Sequence, residues 1–110
     1  METKELWEIF VPTKRRLEGT PIKTKFHKIW DSKVREITGG LTIYPPVKGQ
    51  WVNPHDGELF EERMIPVKIA CTSEQIEQIM KMTMKYYDQL AIFAYRISDC
   101  VKVMKRDEVL

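Results

Sequence analysis

The sequence predicts an α+β fold in which two helices lie on one face of an antiparallel sheet. Three observations carry that prediction. Two stretches repeat apolar residues at steps of three and four, the helical period, and the stretches around them alternate, the strand period. These stretches follow one another in the order β-α-β-β-α-β. With 110 residues, 43% hydrophobic and 31% charged, the chain suits a single α+β domain over residues 1–110, with a core that needs neither disulfide nor metal.

The first strand is predicted at 6–12, LWEIFVP. Trp7, Ile9 and Val11 share one face, Leu6, Glu8 and Phe10 share the other, and Pro12 ends it. Residues 13–23 connect it to a helix and are long for such a link. Over 24–38, Phe26, Ile29, Trp30, Val34 and Ile37 form one apolar stripe. Thr24 is placed to cap that helix and Gly39-Gly40 to stop it. Leu41–Tyr44 reads as a short strand closed by Pro45-Pro46. Residues 47–58 hold Gly49, Asn53-Pro54 and Asp56-Gly57 and read as turns. Residues 59–71 alternate again, with Ile65, Val67, Ile69 and Cys71 on one face. Pro66 is awkward there for a central strand, because it has no N–H to donate. Thr72 and Gln75 form a capping box for a second helix, whose stripe is Ile76, Ile79, Met80, Thr83, Tyr87 and Leu90. From Leu90 alternation returns through Ile97, and residues 98–110 are open between an extra element and a flexible tail.

Two right-handed crossovers joined by a hairpin make this a ferredoxin-like sandwich: a four-stranded antiparallel sheet, two helices on one face, and the first and third strands central. Its motifs resemble those of a family of small bacterial proteins without an assigned activity. The resemblance spans about residues 26–97. It rests on Gly40-Leu41-Thr42, Gly49-Gln50-Trp51, a helix from Ser73, and Gln89 before Ala91 and Ile92. The chain departs from that pattern in having no evident secretion signal and in carrying Tyr44-Pro45-Pro46 between the motifs. The resemblance implies the ferredoxin-like fold and no catalytic residues.

Several function classes are excluded by missing residues. Cys71 and Cys100 make no CxxC pair and fit no zinc spacing, so two reduced, buried thiols are expected, with a single disulfide as the alternative. The METKELWEIF start lacks an apolar signal core, and no stretch has the length of a membrane span, so a cytoplasmic protein with no membrane partner is expected. The 59–71 strand has Phe60 but no basic-Gly-aromatic step, which argues against base stacking of RNA. His27 and Asp31 would share a helix face and read as a surface pair, with no metal site and no cofactor expected. Tyr87 reads as core and Tyr86 lies beside it with no base at hand, so no catalytic residue is assigned.

What remains is charge and an uncovered sheet face. Lys14, Arg15, Arg16, Lys23 and Lys25, continued by Lys28, Lys33 and Arg35, outnumber Glu18 and Asp31 in the same stretch and are candidate nucleic-acid or phosphate contacts. Asp56, Glu58, Glu61 and Glu62 form an opposing acidic patch. Both faces of the strands are largely apolar, so a homo-oligomer is expected, a dimer through the open sheet face with a cavity between sheets. Candidate ligand-binding residues are Gln50, Trp51, Arg63 and Tyr95, with Trp51 folding back over the core or the dimer seam. The first functional reading is a non-enzymatic homo-oligomeric binding or interaction module that takes a small molecule. The alternatives are a small cofactor-free enzyme with an inter-sheet cavity and a nucleic-acid-binding accessory protein using the 14–35 segment.

Overall fold

The computed structural model describes residues 2–110. The elements are β1 (Glu2–Pro12), α1 (Thr24–Thr38), β2 (Thr42–Ile43), β3 (Val47–Val52), β4 (Leu59–Cys71), α2 (Ser73–Tyr86) and β5 (Ala94–Val103), then a 3-10 turn at Arg106–Glu108. All strand pairs are antiparallel. The sheet runs β2-β4-β1-β5, and β3 pairs β4 further along the same edge as β2. The expected central pair is therefore present as β1 and β4, and the sheet has five strands rather than four.

The helices cover one sheet face. Ile9, Val11, Val67, Ile69 and Cys71 point into that side and meet Trp30 and Val34 of α1 and Ile76 and Ile79 of α2. Alternation along β1 and β4 makes this face continuous, and the helical stripes close it. Two hydroxyl contacts satisfy polar groups in this core: the Trp30 indole N–H donates to Thr83 Oγ1 at 2.9 Å, and Thr83 Oγ1 donates to the Ile79 carbonyl at 2.6 Å. The capping box of α2 forms as predicted, with Gln75 N–H donating to Thr72 Oγ1 and Thr72 N–H to Gln75 Oε1. Gly39 ends α1 at φ 90°, a left-handed cap that only glycine takes without steric cost.

Pro66 is buried in the central strand β4 after all, and the register explains why. Its C=O accepts from Tyr44 N–H at 3.0 Å, so its nitrogen also faces that side. Opposite it the chain passes from β2 to β3 through Pro45-Pro46, where no ladder donor is required. The two proline positions are complementary.

Several expectations need correction. Residues 47–52 are strand β3 rather than turns, and only 53–58 turn: Asn53 N–H donates to the Glu58 carbonyl at 2.9 Å and Gly57 sits at φ 74°. Cross-strand pairing with β4 overrides the glycine signal. Thr24 is the first helical residue, and Lys23 holds the cap position without a side-chain cap bond. Leu90 lies beyond α2 and is 81% exposed, because Tyr87 caps the helix first. Cys71 is buried, its thiol pushed up to about 11 by burial, whereas Cys100 is exposed on β5. The expected tail begins with the second half of β5.

Candidate functional site

The uncovered sheet face carries a row of polar side chains across four strands. The register sets Thr42 of β2 opposite Lys68 of β4, Lys68 opposite Glu8 of β1, and Glu8 opposite Tyr95 of β5. Ile9 points into the helix-covered core, so its neighbour Glu8 points to the other face. Glu8 is nevertheless only 8% exposed. Tyr95 Oη donates to Glu8 Oε1 at 2.6 Å, and that bond, more than burial or the carboxylate's charge, raises the phenol pKa and keeps its proton in place. Lys68 Nζ lies 4.6 Å from the centre of the Tyr44 ring.

Aromatic rings flank the row. Phe10, Phe93 and Tyr95 form a triangle with centroids 5.7, 6.2 and 5.8 Å apart. Phe93 is 64% exposed. A carboxylate shielded from water, a phenol, an ammonium and open aromatic faces make a surface able to hold a cationic or planar organic group.

Of the four ligand-site residues read from the sequence, Tyr95 belongs to this row. Gln50 and Trp51 lie together on the β3–β4 arm. Gln50 Nε2 donates to Glu61 Oε1 at 2.6 Å, and Trp51 stacks on Phe60 at 4.5 Å and 12°. Trp51 is 48% exposed, so it does not plug the core of its own chain. Arg63 is exposed on β4, its carbonyl accepting from Thr13 Oγ1 at 2.7 Å. Glu8 and Lys68 do not stand out in the sequence as site residues. Their one signal there is a lone acid between Leu6 and Phe10 on one strand face.

The basic residues sit on the other side, around the 13–22 loop. Lys14 bridges to Pro21, Arg16 donates to the carbonyl and carboxylate of Asp88, Arg15 and Lys25 lie over the Phe26 ring, and Lys23 precedes α1. His27 and Asp31 do share a helix face, but His27 is drawn inward: its Nδ1 is 2.7 Å from the Tyr87 hydroxyl. Burial lowers the imidazole pKa and raises that of Tyr87, so a neutral ring and a protonated phenol share this hydrogen bond. Burial likewise raises the Asp31 pKa. Among the described residues, no three His, Cys, Asp or Glu side chains come together as a metal site would need. Among them, too, no helix is long and apolar enough to cross a membrane.

No protein-family model and no curated protein matches the chain. Solved structures do. The divalent cation tolerance protein CutA1 of Thermus thermophilus superposes with a TM-score of 0.65 at 11% identity, over 96% of this chain and 91% of that one. The periplasmic divalent cation tolerance protein CutA of Archaeoglobus fulgidus gives 0.63 at 9% identity, over 97% and 91%. A phage SAM lyase in complex with S-methyl-5′-thioadenosine gives 0.65 at 13% identity, over 92% and 87%. At such identities the likeness shows the fold alone. The ferredoxin-like α+β architecture is thus borne out, while the Gly-Leu-Thr and Gly-Gln-Trp family is matched by no family model.

Proposed function

We propose that this protein is a homo-oligomeric small-molecule-binding module whose site is the Lys68–Glu8–Tyr95 row, closed by a second copy. The observation that carries this reading is Glu8: a carboxylate shielded from water on a sheet face that its own chain's helices leave uncovered. Glu8 accepts from the Tyr95 hydroxyl, and a carboxylate has room for further donors or a cation. A cationic ligand seated among Phe10, Phe93 and Tyr95 fills that room.

The second copy is argued from apolar exposure. Phe93, Tyr95 and Ile97 are exposed beside the row, and Val47, Trp51, Val52 and Leu59 are exposed on the β3–β4 arm. A two-stranded ribbon is marginal in water by itself. Apolar edges and arms of this kind are normally covered. The ligand class follows from the row's chemistry together with the phage neighbour, which holds a thioether nucleoside. S-adenosylmethionine combines a sulfonium cation with a flat base, which suits a carboxylate set among rings.

Isothermal titration with S-adenosylmethionine, S-methyl-5′-thioadenosine and zinc chloride tests this. The sulfonium compound should bind most tightly, and Glu8→Gln should remove that preference. Tighter binding of zinc alone would move the reading to a cation site. Light scattering at the monomer mass would sink the closed site.

A second reading is an enzyme that cleaves the sulfonium compound. It is favoured by the short Tyr95–Glu8 contact, which pairs a proton donor with a carboxylate at the same place. Release of S-methyl-5′-thioadenosine on incubation with S-adenosylmethionine, lost in Glu8→Gln, would establish it. Binding without product would leave the protein a module.

A further inference from the structure

On the helix side, away from that row, the 13–22 loop, the start of α1 and the end of α2 form a cavity. It has a volume of about 130 Å³ and is lined by Arg15, Ile22, Phe26, Tyr86 and Tyr87. Three of its walls are aromatic. Tyr86 meets Tyr87 edge to face at 4.9 Å, and the Tyr86 hydroxyl donates to the Phe26 carbonyl at 2.9 Å. Three cations lie over these rings: Arg15 5.1 Å and Lys25 5.2 Å from the Phe26 ring centre, and Lys33 5.1 Å from that of Tyr86.

These cations are held in place without being neutralised, because a ring face attracts a cation and leaves its charge intact. Among the described residues, no carboxylate lies within ion-pair distance of any of them. Three acids of the same region have other partners. Glu18 accepts from Thr20 Oγ1 at 3.3 Å, Asp88 is taken by Arg16 at 3.2 Å, and Asp31 faces His27. The first turn of α1 carries no acid.

The loop is also built to hold Arg15 still. Arg15 N–H donates to the Thr20 carbonyl at 2.8 Å, and Gly19, at φ 67°, donates back to the Arg15 carbonyl at 2.9 Å. Ile22 anchors one end in the core, and Arg16 pins the loop to the end of α2. Two neighbouring arginines thus divide the work: Arg16 fastens the loop, and Arg15 keeps its donors free of any acid.

We infer that this pocket binds a phosphoryl group, which Arg15 grips while Lys25 and Lys33 supply charge beside it. Arginine's planar fork matches phosphate oxygens, and lysine acts as a point charge. A free phosphate ester and the backbone of a single-stranded nucleic acid share this chemistry.

The test uses the full chain and two probes, inorganic phosphate and a fluorescent single-stranded oligothymidylate, at about 50 mM salt. Phosphate should shift the Arg15 side-chain N–H resonance in a saturable way. Arg15→Ala should weaken binding roughly tenfold or more, as expected for a charge-assisted contact. Lys33→Ala should weaken it less, and Lys102→Ala, on β5, should leave it unchanged. If the oligonucleotide binds much more tightly, with an affinity falling steeply in salt, the source is nucleic acid. If it binds no better than phosphate, the source is a small phosphate ester. Binding of neither probe overturns the inference. So does binding that Arg15→Ala leaves intact, or that Lys102→Ala weakens equally.

Discussion

The two faces of the sheet are built from alternate residues of the same strands, yet they obey different rules. On the covered face Ile9, Val67 and Ile69 have essentially no exposure, and the chain itself supplies everything they touch. On the open face, one residue away, Glu8 is shielded while Phe93 and Tyr95 remain exposed. The covered face is complete within one chain. The open face has a charged centre and an apolar rim, the inverse of an ordinary protein–protein interface and closer to a ligand site, where a few placed polar groups sit among aromatic side chains. Burial alone therefore does not define a core. A buried carboxylate on the uncovered side is a different object from a buried isoleucine on the other.

This difference can be broken most forcefully from the covered side. Trp30→Ala should lower folding stability by about 3–5 kcal/mol, since it empties a buried volume and strips Thr83 of its indole donor. Urea unfolding would show it, at every protein concentration alike. Phe93→Ala should behave in the opposite way. Folding stability of the dilute chain should stay within about 0.5 kcal/mol, as for exposed positions generally. If the open face carries the proposed seam, the dissociation constant of the oligomer should rise by roughly tenfold, because binding energy concentrates at aromatic anchors. Sedimentation across a concentration series reads this. A comparable loss of folding stability in Phe93→Ala would mean that the open face is core after all.

A smaller change tests whether the arm belongs with the open face. Trp51→Ala removes one stacked pair with Phe60, worth about 1 kcal/mol. The loss should appear in assembly rather than in the urea midpoint of the dilute chain. A midpoint shift independent of concentration would show that the arm is held by its own stacking.

The covered face is legible in the sequence because both of its periods are local. Alternation in 59–71 and the stripes of α1 and α2 name Val67, Ile69, Trp30, Ile76 and Ile79 without any knowledge of pairing. The order of elements then places β1 beside β4. The site is not legible in the same way, since the row depends on register: Glu8 meets Lys68 and Tyr95 only once three strands are aligned. Tyr95 is reached because aromatics on a late strand stand out. Glu8 escapes notice because one acid in a strand ordinarily means solvent. β3 is hidden for a related reason. Gly49 suggests a turn, but in the sheet it is a strand position over which the flexible end of the Met64 side chain folds. Trp51 at the end of the same motif is expected from sequence to cover the core or a dimer seam, and it does not cover the core of its own chain but lies along a strand that only β4 makes visible.

The smallest effect concerns the edge of the covered side, where His27 and Tyr87 meet. Burial holds the His27 imidazole pKa below its usual 6.5, with attraction to Asp31 pulling it partly back. A folded pKa below the unfolded one means that the unfolded chain takes up its proton first as acid is added. Stability from this group is therefore whole above pH 6.5 and declines as pH falls through 6.5 toward the folded value. Tyr87 shifts the other way: its contribution is whole below 10.0 and is lost only above, so it is silent in this window. Asp31, with its pKa raised from 3.8 by burial, gains rather than loses stability as acid protonates it, and it acts at the acid end. His27→Gln keeps an acceptor for the Tyr87 hydroxyl but has nothing to titrate. Between about pH 7.5 and 6 the urea midpoint of the natural chain should fall while that of the variant stays flatter. Parallel slopes for the natural chain and His27→Gln would remove His27 as the source.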